Sequence, residues 1–352
     1  MPNTRPSIQE YFLQFGKTIG LQLTLRCPFK CDNCLVNAGP ERREEVPTPV
    51  ALSWVSKIGR VGTIEVISIT GGEPFVNQKR LEEITHLAKE YGLLVNVVTN
   101  AFWGKNYAQG TKLLKKLQGI THLSISTDIF HNKDIPLENV KNSCLAALDN
   151  GIEVALSICL KQNDDFIDIL KSELGKELFE KLLIVPQHIH SVGRAKDLSL
   201  DEVKSPITKM PSVACGNLSM PFISYDGTIM ACCGDAILKA ELYPALKLGN
   251  MEQNSLRQIL RKADRNYLIH ALRLWGPAGL FQRITDRKLI SRLKKSYSRD
   301  NICDLCCDLL SQVDIVNFFG EELSKAEVQR EIALGRALKY GELSMLSISK
   351  SL

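Results

Sequence analysis

The chain has 352 residues, 44% of them hydrophobic and 24% charged, which is typical of a soluble globular protein and not of a disordered one. The formal net charge of +5 is small and spread out, so we expect no specific nucleic-acid binding. No apolar run reaches about 18 residues and the N-terminus has no secretory apolar core, so we expect no membrane span and a cytoplasmic protein. In that reducing compartment, eleven cysteines indicate metal or redox chemistry instead of disulfides.

Short β-branched runs alternate with amphipathic stretches over the first 200 residues or so. The predicted strands are 18–25, 64–69, 93–98, 122–126, 153–160 and 182–185. The predicted helices are 49–58, 79–91, 107–117, 137–150 and 165–178. Six strand–helix repeats imply parallel strands with right-handed crossovers, as in a barrel, part of a barrel or a doubly wound sheet.

Three cysteines, Cys27, Cys31 and Cys34, lie within eight residues directly after the first predicted strand. Three thiolates on one short loop can hold three corners of a [4Fe-4S] cluster and leave the fourth iron open to a substrate or cofactor. A zinc site would need a fourth Cys or His close by, and none follows at a short interval. The loop therefore favours an iron–sulfur site.

The second predicted strand ends in Gly71, Gly72, Glu73 and Pro74. Two glycines allow the backbone to approach a neighbour or a ligand closely, and Glu73 adds a carboxylate. Alone, this is a tight strand-to-helix turn. Beside the cysteine loop, it predicts a binding site at the carboxyl ends of the strands.

These two motifs, in this order on a strand–helix repeat, resemble the radical S-adenosylmethionine (radical SAM) superfamily. The resemblance covers roughly the first 200 residues and implies a partial (β/α)6 TIM-like barrel within an α/β fold. It implies that Cys27, Cys31 and Cys34 hold a [4Fe-4S] cluster and that SAM chelates the open iron. Residues 71–74 would hold the methionine amino group of SAM.

The resemblance extends to further polar positions at the strand ends. Asn33 stands where the family usually has an aromatic residue or a histidine, and its backbone could read the adenine edge. Ser126 and Asp128 are candidates for the SAM ribose, although a turn or helix cap is the alternative. Ser157 and Arg194 are similar to contacts of the SAM carboxylate. His131, beyond the same strand as Asp128, could bind substrate or exchange a proton.

A second group of cysteines follows residue 206. Cys215, Cys232, Cys303 and Cys306 could close a zinc site or hold a [4Fe-4S] cluster completely, and their spacing does not choose between the two. Their pattern resembles the shortened auxiliary-cluster module (twitch) of the SPASM group, which implies one auxiliary cluster. Cys233 and Cys307, each beside a proposed ligand, leave the exact ligand set open.

We therefore predict a radical SAM core at 1–205, a small α+β auxiliary-cluster module at 206–325 and a C-terminal helix or tail at 326–352. The resemblance implies reductive cleavage of SAM to a 5′-deoxyadenosyl radical, which takes a hydrogen atom from the substrate. The electron would come from a donor such as flavodoxin or ferredoxin.

The favoured function is maturation of a ribosomally made peptide. Only about 20 residues precede the first strand, so a separate leader-peptide-binding protein would be needed. The alternatives are a dehydrogenase or epimerase of a sugar or aminocyclitol, and a non-catalytic metal-binding protein. Epimerisation needs a hydrogen donor, commonly a thiol. Cys159 is the best-placed spare cysteine, ahead of Cys233 and Cys307, if its strand faces the cavity; a buried structural thiol is the favoured alternative.

Overall fold

The computed structural model describes residues 8–161, 164–189, 191–198, 203–299 and 301–347. The ends of the chain at 1–7 and 348–352, the latter part of the predicted tail, lie outside these ranges. Two compact units are present: a core unit of residues 19–200 and 223–226, and a second unit of residues 1–18, 201–222 and 227–352.

The strands follow one another in chain order as β1 (Thr18–Gln22), β2 (Val66–Thr70), β3 (Leu94–Thr99), β4 (His122–Ser126), β5 (Glu153–Leu160), β6 (Leu183–His188), β7 (Lys204–Pro206), β8 (Phe222–Ile223), β9 (Thr228–Met230), β10 (Lys247–Asn250) and β11 (Ser296–Ser298). The helices are α1 (Ile8–Leu13), α2 (Thr48–Gly59), α3 (Gln78–Glu90), α4 (Tyr107–Lys116), α5 (Leu137–Asp149), α6 (Phe166–Leu174), α7 (Lys176–Phe179), α8 (Leu256–Asp264), α9 (Tyr267–Phe281), α10 (Arg287–Ser291), α11 (Ile302–Leu310), α12 (Val313–Glu322) and α13 (Ala326–Tyr340).

The core unit confirms the predicted α/β class. Its strands lie in the order β1-β2-β3-β4-β5-β6, and β2 through β6 pair in parallel with helices between them. Within the described residues, β6 does not pair with β1, so the sheet forms part of a barrel and stays open. This arrangement places the carboxyl ends of the strands along one edge, where such folds carry their chemistry.

The two faces of this sheet differ in polarity. One face carries fully buried aliphatic side chains such as Ile67, Val97, Leu123 and Leu156. The register of the parallel pairs places a second, polar set on the other face: Ser68, Asn96, Ser124, Ser126 and Ser157. Because side chains alternate along a strand, the same alternation in sequence defines both faces.

Glycines follow two of the core helices directly. Gly92 and Gly151, just beyond α3 and α5, have φ angles of +75° and +70°, which glycine adopts without a steric penalty. The single helix predicted over 165–178 is instead two helices, α6 and α7, because Gly175 interrupts it with φ of +82°.

The second unit is built mainly from helices around a buried apolar cluster that includes Leu272, Tyr297, Leu305 and Phe319. At the predicted boundary between the core and the second module, residues 204–206 form strand β7, which pairs antiparallel with β11. Residues through Thr18 also belong to this unit, whereas the sequence-based boundary assigns them to the core.

Buried Arg273 explains why the N-terminal segment packs with the second unit. Its guanidinium donates to the Leu13 carbonyl at 2.9 Å and pairs with Glu342 at 2.8 Å, and Glu342 also accepts from the Phe15 amide at 3.0 Å. In the part of the chain that the structure describes, no helix is long and apolar enough to cross a bilayer.

Candidate functional site

The cysteine loop follows β1 and is folded back on itself by backbone hydrogen bonds. The Cys27 amide donates to the Gly39 carbonyl at 3.2 Å, and the Cys34 amide donates to the Cys31 carbonyl at 3.2 Å. Cys27 and Cys31 are each 8% exposed, and Cys34 is half-buried. Burial raises the pKa of the Cys27 and Cys31 thiols to about 12. Ligation by a metal would therefore have to displace two firmly held protons.

The glycine pair after β2 lies against the backbone that leads into this loop. A Cβ added to Gly71 would stand 2.3 Å from the Thr24 carbonyl oxygen, and one added to Gly72 would stand 2.1 Å from that of Arg26. The Gly72 and Glu73 amides donate to these two carbonyls at 2.6 and 2.9 Å. The glycines are thus needed for contact between two protein segments, and this contact ties the two predicted motifs together.

Glu73 is completely buried and links β2 to the end of β3. One carboxylate oxygen accepts from the Phe75 amide at 3.0 Å and the Thr99 hydroxyl at 2.9 Å, and the other accepts from the Asn100 amide at 2.8 Å. Burial raises the pKa of Glu73 to about 7, and these hydrogen bonds oppose that rise. The buried carboxyl group therefore holds the ends of β2 and β3 together at the site.

Asn100 is a site residue that the sequence interpretation missed. Its side-chain nitrogen lies 3.6 Å from the Cys27 sulfur, so it joins the Glu73 brace to the cysteine loop. The next residue, Ala101, has φ of +63°, an unusual conformation for a residue with a Cβ. A polar Thr99-Asn100 pair directly after an apolar parallel strand was the available signal, since strand ends carry function.

The ends of β4 and β5 meet the cysteine loop through Asn33. Its side-chain nitrogen donates to Asp128 at 3.3 Å and also bonds to the Cys159 thiol. Asp128 caps the following turn by accepting from the Phe130 and His131 amides, each at 2.9 Å, and it contacts the His131 ring at 2.8 Å. The capping alternative for Asp128 is therefore present in the structure, whatever else this carboxylate binds.

Electrostatics at this junction favour a charged carboxylate and a neutral thiol. Burial raises the pKa of Asp128, but its bonds to His131 outweigh burial and leave the pKa below the ordinary value. Burial raises the pKa of Cys159 to about 11, and the Asp128 charge adds to that rise. Ser126 and Ser157 lie opposite each other in the register of β4 and β5, both half-buried on the polar face.

Arg194 lies in a short 3-10 helix, Gly193–Asp197, after β6. Its Nε and Nη1 atoms donate to the carbonyls of Cys31 and Ala38 at 2.8 and 2.6 Å, and its amide donates to the Cys34 carbonyl at 3.0 Å. The family resemblance predicts that this side chain contacts the SAM carboxylate. In the structure, two of its nitrogens bind the cysteine loop.

These residues suit an iron–sulfur cluster with SAM bound to it. The donor set is three thiols on one loop, beside a positive guanidinium that compensates thiolate charge. Two buried polar atoms next to the loop, Asn33 Oδ1 and Arg194 Nη2, have no hydrogen-bond partner among the described residues. Buried polar atoms are normally satisfied, so both are suited to a polar ligand.

The second cysteine group gathers in the second unit. Cys215, Cys232, Cys303, Cys306 and Cys307 line one cavity together with Tyr243 and Pro277, whereas Cys233 does not line it. Burial raises the pKa of Cys303 to about 12 and holds the pKa values of Cys232 and Cys306 well above the ordinary value, so these thiols also need a metal to ionise. Cys307 shares a hydrogen bond with the Tyr243 hydroxyl, which sets it apart from Cys306.

Helix α9 fixes the first of these cysteines. The Cys215 amide donates to the Leu272 carbonyl at 3.1 Å, and α9 is kinked at Gly276, where φ is +67°. A Cβ on Gly276 would stand 1.8 Å from the Val213 carbonyl oxygen, two residues before Cys215. Gly234, whose amide donates to the Cys232 sulfur at 3.1 Å, lies close to both Cys232 and Cys303.

Among the described residues, no three His, Cys, Asp or Glu side chains are grouped as a site for a single metal ion.

Two family descriptions match the chain. Residues 21–172 match the radical SAM superfamily, and residues 215–307 match SPASM, an iron–sulfur cluster-binding domain. Together, these matches include both cysteine groups described above.

Similar proteins span much of the chain. "Putative peptide biosynthesis protein YydG" of Bacillus subtilis (strain 168) is 24% identical over 321 residues, which are 88% of this chain and 97% of that protein. "GTP 3′,8-cyclase" of Aquifex aeolicus (strain VF5) is 24% identical over 245 residues, or 60% of this chain and 72% of that one. A crystal structure of BtrN with AdoMet and 2-DOIA covers 74% of this chain and 88% of its own at 13% identity, with a TM-score of 0.43, too low to support a conclusion.

Proposed function

Because the chain belongs to the radical SAM superfamily and carries a SPASM domain, we propose that this enzyme matures a ribosomally made peptide. The observation that carries the proposal is the match to the Bacillus subtilis protein YydG, named for peptide biosynthesis. It runs through 97% of that protein and 88% of this chain, well beyond the core unit. A match limited to the core would support SAM chemistry alone.

Cys27, Cys31 and Cys34 would hold the catalytic cluster, and Cys215, Cys232, Cys303 and Cys306 the auxiliary one. When bound, the catalytic cluster and SAM supply a one-electron cleavage that yields a hydrogen-abstracting 5′-deoxyadenosyl radical. Gly71, Gly72, Glu73 and Pro74 would orient SAM. We assign Ser126, Asp128 and Ser157 to its ribose and carboxylate side, and the Asn33 backbone to its adenine. A flavodoxin or ferredoxin would deliver the electron.

The polar face of the sheet suits a substrate that hydrogen-bonds along its length. Ser126, Ser157 and Cys159 are half-buried there, toward the carboxyl ends of the strands. Deeper in the same face, Asn96 donates to Ser68 and accepts from Ser124, each at 3.0 Å, so the lower layer is already satisfied by protein contacts. The upper layer is the part with hydrogen-bonding capacity to offer a peptide.

Cys159 is the candidate for returning a hydrogen atom to the substrate. Because burial raises its pKa to about 11, the thiol keeps its hydrogen at neutral pH. In epimerisation, a carbon-centred substrate radical takes the hydrogen atom from the Cys159 S–H bond and leaves a sulfur radical. An electron from the external donor and a solvent proton then restore the thiol.

The experiment is reaction of the reconstituted enzyme and SAM, in D2O buffer, with the peptides encoded by short reading frames that flank its gene, followed by mass spectrometry. Epimerisation predicts no new crosslink in the peptide and the incorporation of one solvent-derived deuterium. Cys159→Ala would lose that product and Cys144→Ala, which alters a buried thiol on α5, would retain it. Crosslinking predicts the loss of two hydrogens, and then Cys159 is not required.

Peptides left unmodified by a holoenzyme that cleaves SAM, with the protein products of the neighbouring genes also present, would contradict the peptide proposal. Dehydrogenation of a sugar or aminocyclitol by the same preparation would then support the alternative substrate class.

A further inference from the structure

Three carbonyl groups of the cysteine loop converge on a single residue. Arg194 donates from Nε to the Cys31 carbonyl at 2.8 Å, from Nη1 to the Ala38 carbonyl at 2.6 Å and from its backbone amide to the Cys34 carbonyl at 3.0 Å. These carbonyls belong to two of the three proposed cluster ligands and to the exit of the loop. A planar guanidinium presents its donors in a fixed fork, so it sets the relative positions of the groups it binds.

The neighbouring glycine allows this approach. Gly193 has φ of +57°, and a Cβ added to it would stand 2.3 and 2.4 Å from the carbonyl oxygens of Cys34 and Leu35. Ala195, on the other side of Arg194, is 1% exposed and anchors the segment in the core unit. The segment Gly193–Ala195 therefore packs directly against the loop, and only glycine fits at the closest point.

One donor group of the fork remains. Arg194 Nη2 is buried and has no hydrogen-bond partner among the described residues. A buried donor of this kind is suited to an anionic or carbonyl oxygen supplied by a ligand. The carboxylate of SAM is an oxygen of this class, and it would reach the residue that also binds the loop.

We propose that Arg194 is the positioning residue of the cluster loop, and that its remaining Nη2 donor couples the order of that loop to the carboxylate of bound SAM. The proposal rests on the SAM chemistry proposed above, but not on the nature of the substrate. Arg194 is then more than a SAM contact. The order of the loop depends on Arg194 before SAM binds, and SAM binding increases that order.

The test uses the reconstituted full-length protein under anoxic conditions, with Arg194→Lys and Arg194→Gln as variants. Lysine keeps the charge but loses the fork, and glutamine loses both. The measurement is the rate at which a ferrous-iron chelator removes the four irons of the catalytic cluster, with and without SAM, together with the electron paramagnetic resonance spectrum of the reduced cluster.

Partners that orient metal ligands typically change metal affinity by 10–100-fold, so both variants should release this iron at least about tenfold faster without SAM. SAM should slow the release in the wild type and give little protection to either variant. The control is Arg42→Gln, which removes another arginine of the same region that donates to a loop carbonyl, that of Asn37 at 3.0 Å. The control should behave as the wild type does.

Wild-type iron release and an unchanged spectrum in both variants, with only weaker SAM binding, would overturn the positioning role. Faster iron release in the variants with full SAM protection would overturn the coupling. If Arg194→Gln does not fold, Arg194→Lys still decides the matter, because thermal unfolding identifies a merely unstable chain. None of these measurements uses a peptide, so failure of the peptide proposal is a separate result.

Discussion

The two cysteine sites are built in opposite ways. Cys27, Cys31 and Cys34 lie within eight residues of one loop, and nearby segments hold that loop through its backbone. The auxiliary cysteines come from segments that begin at Cys215 and end at Cys306, and the fold of the second unit brings them into one cavity. The first cysteine site is thus specified by local sequence, whereas the second is assembled by tertiary packing.

The largest expected effect is that of Cys31→Ala. Removing one of three loop ligands should abolish the catalytic cluster, so that iron falls from about eight to about four atoms per chain and SAM cleavage is lost. The measurements are iron analysis and 5′-deoxyadenosine formation after anoxic reconstitution. A wild-type content of four irons with one zinc would contradict the auxiliary cluster and leave the catalytic one intact.

Next in size is a comparison within α11. Cys306→Ser should remove the auxiliary cluster, again about four irons, while SAM cleavage without substrate continues. Cys307→Ser should keep both clusters, because Cys307 is engaged by the Tyr243 hydroxyl. If Cys307→Ser loses the iron and Cys306→Ser keeps it, the assignment of the ligands is reversed.

The second cysteine site depends on tertiary packing, so it should respond to a substitution that lies far along the chain from any of its cysteines. Gly276→Ala forces a Cβ to within 1.8 Å of the Val213 carbonyl and demands a positive φ from alanine. We expect a loss of about 3 kcal/mol in the free energy of unfolding and displacement of Cys215, with loss of auxiliary iron. Gly320→Ala in α12, which meets no atom within 4 Å, is the matched control.

That alanine control should be neutral or slightly stabilising, because alanine is the better helix former. Retention of all iron in Gly276→Ala would show that the kink does not position Cys215.

A smaller effect is the pH dependence of stability that the buried Glu73 carboxyl group causes. Glu73 has a pKa of about 7 in the folded chain against an ordinary value of 4.5, so the folded state holds its proton more firmly. Stability contributed by that proton is complete below about pH 4.5, falls as pH rises toward 7 and is gone above it. Denaturation from pH 5 to 8 should show the wild type losing about 3 kcal/mol relative to Glu73→Gln.

A constant difference between the two proteins over this range would mean that the Glu73 carboxyl is ionised throughout. Its three hydrogen bonds would then outweigh its burial.

The sequence predicts the core well because its signals are local. The alternation of strands and helices, the cysteine spacing and the glycine pair are each read within about ten residues of chain. Asn100 was missed because its importance comes from two neighbours far away in sequence, Glu73 and Cys27. Arg194 was noticed, but its bonds to Cys31 and Ala38 depend on how β6 returns to the first loop, which no spacing encodes.

In the second unit, the cysteines themselves are visible in the sequence but their selection is not. Cys232 and Cys233 are adjacent, and the sequence does not distinguish them, yet of the two only Cys232 lines the shared cavity. The role of the α9 kink and the packing of residues 8–18 with this unit also depend on tertiary contacts, such as those of Arg273.

The most direct measurement is the electron paramagnetic resonance spectrum of the dithionite-reduced, anoxically reconstituted chain before and after SAM is added. Coordination of SAM to the open iron held by Cys27, Cys31 and Cys34 predicts a changed cluster spectrum in the wild type and no such change in Cys31→Ala. A reduced wild-type spectrum that SAM leaves untouched, in a protein loaded with iron at both sites, would contradict the account.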